Sequence, residues 1–492
     1  MIDTINMSAS TANFICNTTF KRGLYASILH PTVRDLRIRI AVPYVYDYKL
    51  KYKQRLDENG QNQVETLEDF YNKQIAGRNR SISSVNNGNF DEDDDFCAPE
   101  ALKSPQKSFD FILAQKKNLK HDNDDYLREA IKTGLIELNG QACDPSTILK
   151  DGDILRRIWH RHESPVVDVS HKEMIIQETN DLVVINKPST IPIHPGGAFR
   201  LNSLKYILFN ERPDLGELSP VHRLDRLTSG LILMARNGES ARKMGRFVQN
   251  QHGKSMRKVY LARVKGKFPQ FQNELKDLRG ISKTQMDENE RCWGVCDIPI
   301  TKLHPRKPIL EQNDPTVNSL AWKECMSRFC YLGYNNATRT SLVACEPITG
   351  RTHQLRIHLF ALGFPIANDE MYGGDSEQPD SLFTSQSELD AYRDEYYRAI
   401  SQVKDSTLDS TARNPCMLDE HLVQKAECLC SDCRERRVEN LNRKGIWLHA
   451  YGVRLLSGGQ AGLVEGEFST PPPSWSGEFD VDVGNLIPSS FS

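Results

Sequence analysis

The stretch VHRLDRLTSGLILMAR, residues 221–236, places one carboxylate between two guanidinium groups and runs directly into an apolar strand. Asp225 lies between Arg223 and Arg226. Thr228, Ser229 and Gly230 read as a turn, and Leu231 to Ala235 is the longest apolar run in the chain, short enough for a buried strand. A neighbouring arginine favours the ionised form of a carboxylate, and an ionised carboxylate is a competent nucleophile. For an aspartate met alone, capping a turn with Thr228 and Gly230 is the commoner use.

Outward from this stretch the pattern is mostly strands. MIIQETNDLVVINKP (174–188) reads as two strands about a turn at Asn180-Asp181, and KVYLARVKG (258–266) alternates with period two. TSLVACEP (340–347) and IWLHAYGVRL (446–455) read the same way. Helices are expected at 239–251, where Ala241, Met244 and Val248 share a face, and at 352–363, closed by Gly363. Strands joined by short turns with few helices give an α+β fold, its mixed sheet largely antiparallel and flanked by helices. Residues 269–320 and 375–440 break the pattern and are expected to be insertions. The tail from 469, opening on Pro471-Pro472-Pro473, is expected to be flexible.

At 492 residues the chain has room for roughly two to four domains. Its 63 Lys+Arg against 65 Asp+Glu exclude a uniformly basic nucleic-acid coat, so a polyanion must meet local basic patches. One such patch is residues 34–55, where seven basic residues and Tyr44, Tyr46, Tyr48 and Tyr52 stand against two acids. Cations interleaved with aromatics suit phosphates and exposed bases, although a solvated sheet edge reads the same way. Residues 1–33 are expected to form a flexible leader, and 34–121 an extension holding a disordered acidic insertion around Asp91 to Asp95. No apolar window approaches the ~18 residues of a membrane span, so no membrane association is expected. Twelve cysteines without a secretory segment point to a reducing compartment and free thiols. The cytoplasm is therefore expected, with mitochondrion and nucleus as the other compartments. The leader's lack of acids between Asp3 and Asp35 has the look of a presequence, though one poor in arginine.

Residues 122–163 contain a helix over YLREAIKTG, then GLIELNG (134–140) and KDGDIL (150–155), each a strand beside a turn. This small unit resembles the S4 RNA-binding module. A second constellation, GRTHQLRIH (350–358), sets Arg351, Gln354, Leu355, Arg356 and His358 at a strand-to-helix turn, where an arginine can pair with a buried carboxylate.

Read together, four segments resemble the RluA-type RNA pseudouridine synthases, in the eukaryotic branch linked to tRNA position 32. HRLDRLTSG matches the family's H-R-L-D-x-x-T-S-G. KVYLARVKG matches K-x-Y-x-A-x-V-x-G. RTHQLRIH and NDEMYGG (368–374) match the third motif and its sequel, and INKPSTIPIHPGGAFRLNSL (185–204) matches the upstream segment. PYVYDYKLKYKQR (43–55) is a weaker match to an N-terminal segment of the tRNA position-32 branch. The resemblance implies a catalytic domain over 164–468 and a cofactor-independent isomerisation of uridine to pseudouridine in RNA, most readily tRNA.

The same resemblance implies Asp225 as the catalytic aspartate and Arg356 as its ion-pair partner. Tyr260 would stack on the uracil and serve proton transfer. Leu355 would pack beneath the base, and Arg223 would fill the gap left by the everted nucleotide. His194 is a candidate RNA contact, though a structural role beside Pro195-Gly196 also fits, and His222, Thr228 and Gly230 would shape the loop. The reaction requires neither metal nor cofactor, and a monomer without an obligate protein partner is expected. Cys428, Cys430 and Cys433 form a weak zinc pattern, with Cys416, His421 or His449 as a fourth ligand. Three other readings are an RNA-binding or RNA-chaperone protein with an idle site, a synthase acting mainly on messenger RNA, and a glycosidase. The last would need two carboxylates at a fixed separation.

Overall fold

The computed structural model describes residues 25–29, 37–41, 43–51, 124–196, 198–250, 256–300, 322–374, 386–406, 420–430, 433, 445–456, 466–481, 483 and 486. The expected leader up to residue 24, the acidic insertion at 78–107, residues 301–321, Cys416 and the tail beyond 486 lie outside the described residues. No helix among the described residues is long and apolar enough to cross a membrane. The chain divides into two compact units.

The first unit takes in residues 1–165, 195–202 and 385–440. Strand β1 (Tyr25–Leu29), inside the 1–33 leader expected to be flexible, pairs antiparallel with β2 (Arg37–Ala41). Strand β3 (Tyr44–Lys51) pairs along its whole length with β6 (Ile154–Arg161), which also pairs with β4 (Ile136–Leu138); β5 (Gln141–Ala142) closes the sheet. The Asn139-Gly140 turn between β4 and β5 has positive φ at both residues, as a tight hairpin with right-handed strand twist requires.

The basic, tyrosine-rich segment is therefore an added strand on the small helix–strand–turn–strand unit. Helix Asp124–Lys132 sends Ala130 and Ile131 into a core with Leu135, Ile136, Leu149, Leu155 and Ile158. Ala426, from helix Glu420–Leu429, joins that core, with Leu422, Val423 and Leu429 beside it. Helix Glu420–Leu429, from a segment expected to be an insertion of the catalytic domain, thus belongs to the core of the first unit. The cause is a helical apolar stripe, at 422, 423, 426 and 429, that needs a surface to cover.

The second unit is built on one large sheet. After the short β7 (Val166–Val167), its strands are β8 (Ile175–Glu178), β9 (Leu182–Lys187), β10 (Ser219–Pro220), β11 (Ser229–Ala235), β12 (Met256–Lys265), β13 (Ile281–Met286), β14 (Cys292–Cys296), β15 (Ser327–Asn335), β16 (Thr340–Pro347), β17 (Leu448–Leu455) and β18 (Gly466–Ser469). The order is β13-β14-β15-β16-β12-β17-β11-β9-β8, with β10 on β11 and β18 on β17. Every pair in it is antiparallel except β11 with β17. Both faces of β11 are covered, which is why GLILMA reads as a continuous apolar run. Leu231, Leu233 and Ala235 enter a core with Val184, Met244 and Val453, while Ile232 and Met234 are buried on the opposite face.

The described part of 269–320, expected to be an insertion, is built into the sheet: helix Gln272–Asp277 and strands β13 and β14 extend it, and Trp293 is buried in its core. The stretch after 469, expected to be flexible, is packed over its described residues. Trp475 stacks on Trp447, and Phe479 and Leu486 are buried with Val259, Leu261 and Leu342.

The parallel register of Ser229 with His449 and Gly230 with Ala450 fixes where the Asp225 loop leaves the sheet. Gly230 has φ +110°, and a Cβ there would collide with the Ala450 carbonyl and sit 2.5 Å from the Ala450 nitrogen. Gly230→Ala is expected to cost on the order of 3 kcal/mol, from backbone strain plus overpacking. Urea unfolding reads this directly, and an unchanged midpoint would mean that the two strands approach less closely than described.

Candidate active site

The Asp225 loop is held from several sides. The Thr228 amide donates to the Asp225 carbonyl (3.2 Å), closing a turn. Fully buried Lys187 donates through Nζ to the carbonyls of Pro188, Ile191 and Arg226 at 2.8, 2.9 and 3.1 Å, tying the upstream segment to the loop. Ser229 Oγ is 2.8 Å from His449 Nδ1, whose Nε2 is 2.7 Å from Thr470 Oγ1. Burial chiefly lowers the His449 pKa to about 4, so the ring is neutral and serves as a hydrogen-bond bridge. His222 is likewise held neutral by burial, at about 3, and accepts from the Leu233 amide. Its role and those of Thr228 and Gly230 are those of a scaffold.

Opposite lies the strand-to-helix turn of RTHQLRIH. Gln354 anchors it: Oε1 accepts from Thr349 and the Arg351 amide, and Nε2 donates to the Met326 carbonyl and Ser327 Oγ. His353, left-handed at φ +54°, precedes helix Gln354–Ala361. Arg356 therefore sits in the first helical turn, fully buried and aimed at Asp225. Its Nη1 is 3.5 Å from Asp225 Oδ2. Its stronger partner is Asp369, in a two-pronged pair with Nε–Oδ2 at 2.7 Å and Nη2–Oδ1 at 2.9 Å. Burial opposes the charge on Arg356, but Asp369 outweighs it, with Asp225 adding to the effect, so the guanidinium stays protonated. Tyr372 lies 5.0 Å under the guanidinium, and its hydroxyl is 2.9 Å from His353 Nδ1. His353 Nε2 in turn stands 3.7 Å from Asp225 Oδ2.

The two carboxylates differ in one respect that decides their use. The Asp225 side chain is 24% exposed and that of Asp369 is 1%. Only Asp225 can meet a substrate, while Asp369 neutralises and aims the arginine behind it. The glycosidase reading loses its second working acid on this ground.

Tyr260 is buried at the bulge where β12 shifts register against β17. Burial raises its pKa and the charge of Asp225 raises it further, so its phenol keeps its proton at neutral pH. Leu355 is buried beside Arg356 in the chain, and Arg223 is exposed two residues before Asp225. His194 is half-buried, its pKa lowered to about 4 by burial and then by Lys205 and Arg223. The structure thus brings Asp225 to Arg356 and within electrostatic reach of Tyr260. His194 feels the Arg223 charge. Sequence reading gave no role to Lys187, His353, Asp369 or Tyr372, although all four lie inside quoted motifs. Of the cysteines, Cys428 is exposed, Cys430 buried and Cys433 half-buried, and His449 is taken up by Ser229 and Thr470.

A scaffolded, solvent-facing carboxylate over a buried arginine, on a largely antiparallel sheet, is a candidate single-carboxylate site of the kind that the four motifs imply. A family model described as RNA pseudouridylate synthase matches residues 181–361. The tRNA pseudouridine(31) synthase of Saccharomyces cerevisiae is 31% identical over 353 residues, covering 67% of this chain and 80% of its own length. The mitochondrial tRNA pseudouridine(32) synthase of the same yeast is 34% identical over 254 residues, 51% of this chain and 47% of its own. Pseudouridylate synthase RPUSD2 of Mus musculus is 38% identical over 255 residues, 52% of this chain but 40% of the relative's length. The chain belongs to the RluA-type RNA pseudouridine synthase family.

Proposed function

We propose that this protein isomerises uridine to pseudouridine in tRNA, with position 32 of the anticodon loop as the target. The observation that carries this reading is the Asp225–Arg356–Asp369 chain: a carboxylate open to solvent, backed by a cation whose own charge is already balanced. Because Asp369 holds Arg356 in place, the guanidinium does not have to rearrange when Asp225 engages the sugar. Breaking the N1–C1′ bond leaves C1′ electron-deficient, and the Asp225 carboxylate adds to or stabilises it. The detached uracil, an anion at N1, turns and bonds to C1′ through C5, releasing the Asp225 carboxylate where it had added; C5 then gives up its proton and N1 takes one from solvent, so no atom is gained or lost overall. Tyr260, its phenol protonated at rest, stacks on the base and takes part in the proton transfer at C5, passing the released proton on to solvent. Leu355 packs beneath the ring, and Arg223 braces the gap in the RNA stack. A loop uridine costs less to evert than a paired one, which favours the anticodon loop. The names of the two yeast relatives support tRNA as substrate.

The test is purified protein with tRNA transcripts and messenger RNA fragments, pseudouridine being located by chemical labelling and primer extension. A stop at position 32 of the tRNA is expected. Modification confined to messenger RNA would replace the substrate, and RNA bound without modification would establish the idle RNA-binding reading.

RNA capture falls, in this reading, to the S4-like unit and the basic strands at 37–51. Because β3 pairs along its whole length with β6, substitution probes this better than truncation. Arg37→Ala/Lys49→Ala/Lys51→Ala is expected to weaken tRNA binding and to reduce the slope of log affinity against log salt by about 1 for each phosphate that is no longer neutralised. An unchanged slope would remove these residues from the interface. The protein works as a cytoplasmic monomer in this proposal, and fractionation and light scattering check both points.

A further inference from the structure

Strand β6 ends at Arg161 within the sequence HRHE, His160 to Glu163, and helix Glu420–Leu429 is followed in the sequence by Cys430 and Cys433. Both ends belong to the first unit. His160 is the penultimate residue of the strand and His162 lies just past the strand end, two residues on, and both rings reach the same side. There they meet the two cysteines. One donor atom from each of the four residues lies within 4.8 Å of every other. Cys433 Sγ is 3.3 Å from His162 Nε2 and 3.4 Å from His160 Nδ1. A tetrahedral zinc with ordinary Zn–N and Zn–S bonds sets its donors roughly 3.3–3.8 Å apart. The His160 ring shows the outer arrangement of a metal ligand as well: Nδ1 faces the thiols, while Nε2 points to Glu427 Oε1 at 3.6 Å. A carboxylate behind a ligating histidine fixes its tautomer and raises its basicity.

We propose that His160, His162, Cys430 and Cys433 bind one zinc ion. Four protein ligands leave no open position, so the ion is structural rather than catalytic. The ligand set differs from the one that the cysteine spacing suggested: exposed Cys428 is not part of it, and two histidines far away in the sequence complete it. The ion staples the end of helix Glu420–Leu429 to the end of β6, closing a loop from residue 160 to residue 433, and its binding energy becomes folding energy. Next to the site, the Glu163 carboxylate is buried and accepts from the amides of Arg200, Leu201 and Asn202 and from the Tyr44 hydroxyl. The zinc therefore also steadies the strand end that organises residues 200–202. The metal site is independent of the proposed tRNA substrate.

Metal analysis of the full-length protein, expressed in zinc-supplemented medium and dialysed, tests it. Wild type and Cys428→Ser are expected to carry one zinc per chain, and Cys433→Ser and His162→Ala none. Cobalt exchanged into wild type is expected to give intense tetrahedral d–d bands and a thiolate charge-transfer band, a readout that needs no variant to fold. Removing zinc with a chelator is expected to lower the melting temperature, and adding it back to restore it. Zinc-free wild type, a Cys430–Cys433 disulfide in the purified protein, full zinc retention in both Cys433→Ser and His162→Ala, or an octahedral cobalt spectrum would each overturn the proposal.

Discussion

Asp225→Ala is expected to lower pseudouridine formation by at least ~10³-fold and to leave the protein folded. The two halves of this expectation have separate causes. The loss of activity follows because no other carboxylate among those paired with Arg356 can reach a nucleoside: Asp369 is buried and engaged at both oxygens. The fold survives because Arg356 keeps that bidentate partner, so no buried charge is left alone, and the Asp225 side chain is partly in water. The stability cost should be about 1 kcal/mol or less. Single-turnover assays on a tRNA transcript, with a thermal melt of the same preparation, measure both. Activity within tenfold of wild type would assign the chemistry to another group.

Asp369→Ala has the opposite profile. It removes the partner from a fully buried guanidinium and leaves, of its carboxylates, only the 3.5 Å approach to Asp225. Stranding one member of a buried ion pair costs about 3–5 kcal/mol, against a total stability of roughly 5–15 kcal/mol. The variant is expected to unfold at a much lower urea concentration and to lose activity through the misplaced arginine. Asp369→Asn, which keeps the shape and one acceptor, should fall between. An Asp369→Ala protein as stable as wild type would show that Arg356 does not depend on this carboxylate. Since Asp225→Ala is expected to be stable and inactive and Asp369→Ala unstable, the pair separates chemistry from scaffold.

Much of the second unit was legible because its signals are local. GLILMA and KVYLARVKG carry their strand pattern in consecutive residues, and the Asp225 and Arg356 motifs sit at turns marked by Gly230 and Gly350. What escaped depends on tertiary placement. Asp369 and Lys187 look like ordinary charged residues until the fold buries both, one against a guanidinium and the other against three carbonyls. Strand β13, ISKTQM, has mostly polar residues and no clean alternation, so its membership in the sheet is decided by β14 beside it. Helix Glu420–Leu429 has a readable apolar stripe, but nothing local says that the stripe covers Ile131 and Leu155 rather than strands adjacent to it in the sequence. The Pro471-Pro472-Pro473 tail reads as extended, and Trp475 and Phe479 find their places only against Trp447 and the core.

The most direct test is transcriptome-wide pseudouridine mapping in cells with and without the gene, rescued with wild type or with Asp225→Ala at equal abundance. A set of tRNA anticodon-loop sites is predicted to vanish with the gene, to return with wild type and to stay absent with Asp225→Ala. Sites that persist without the gene, or that Asp225→Ala restores, would contradict a catalytic role for this carboxylate in tRNA.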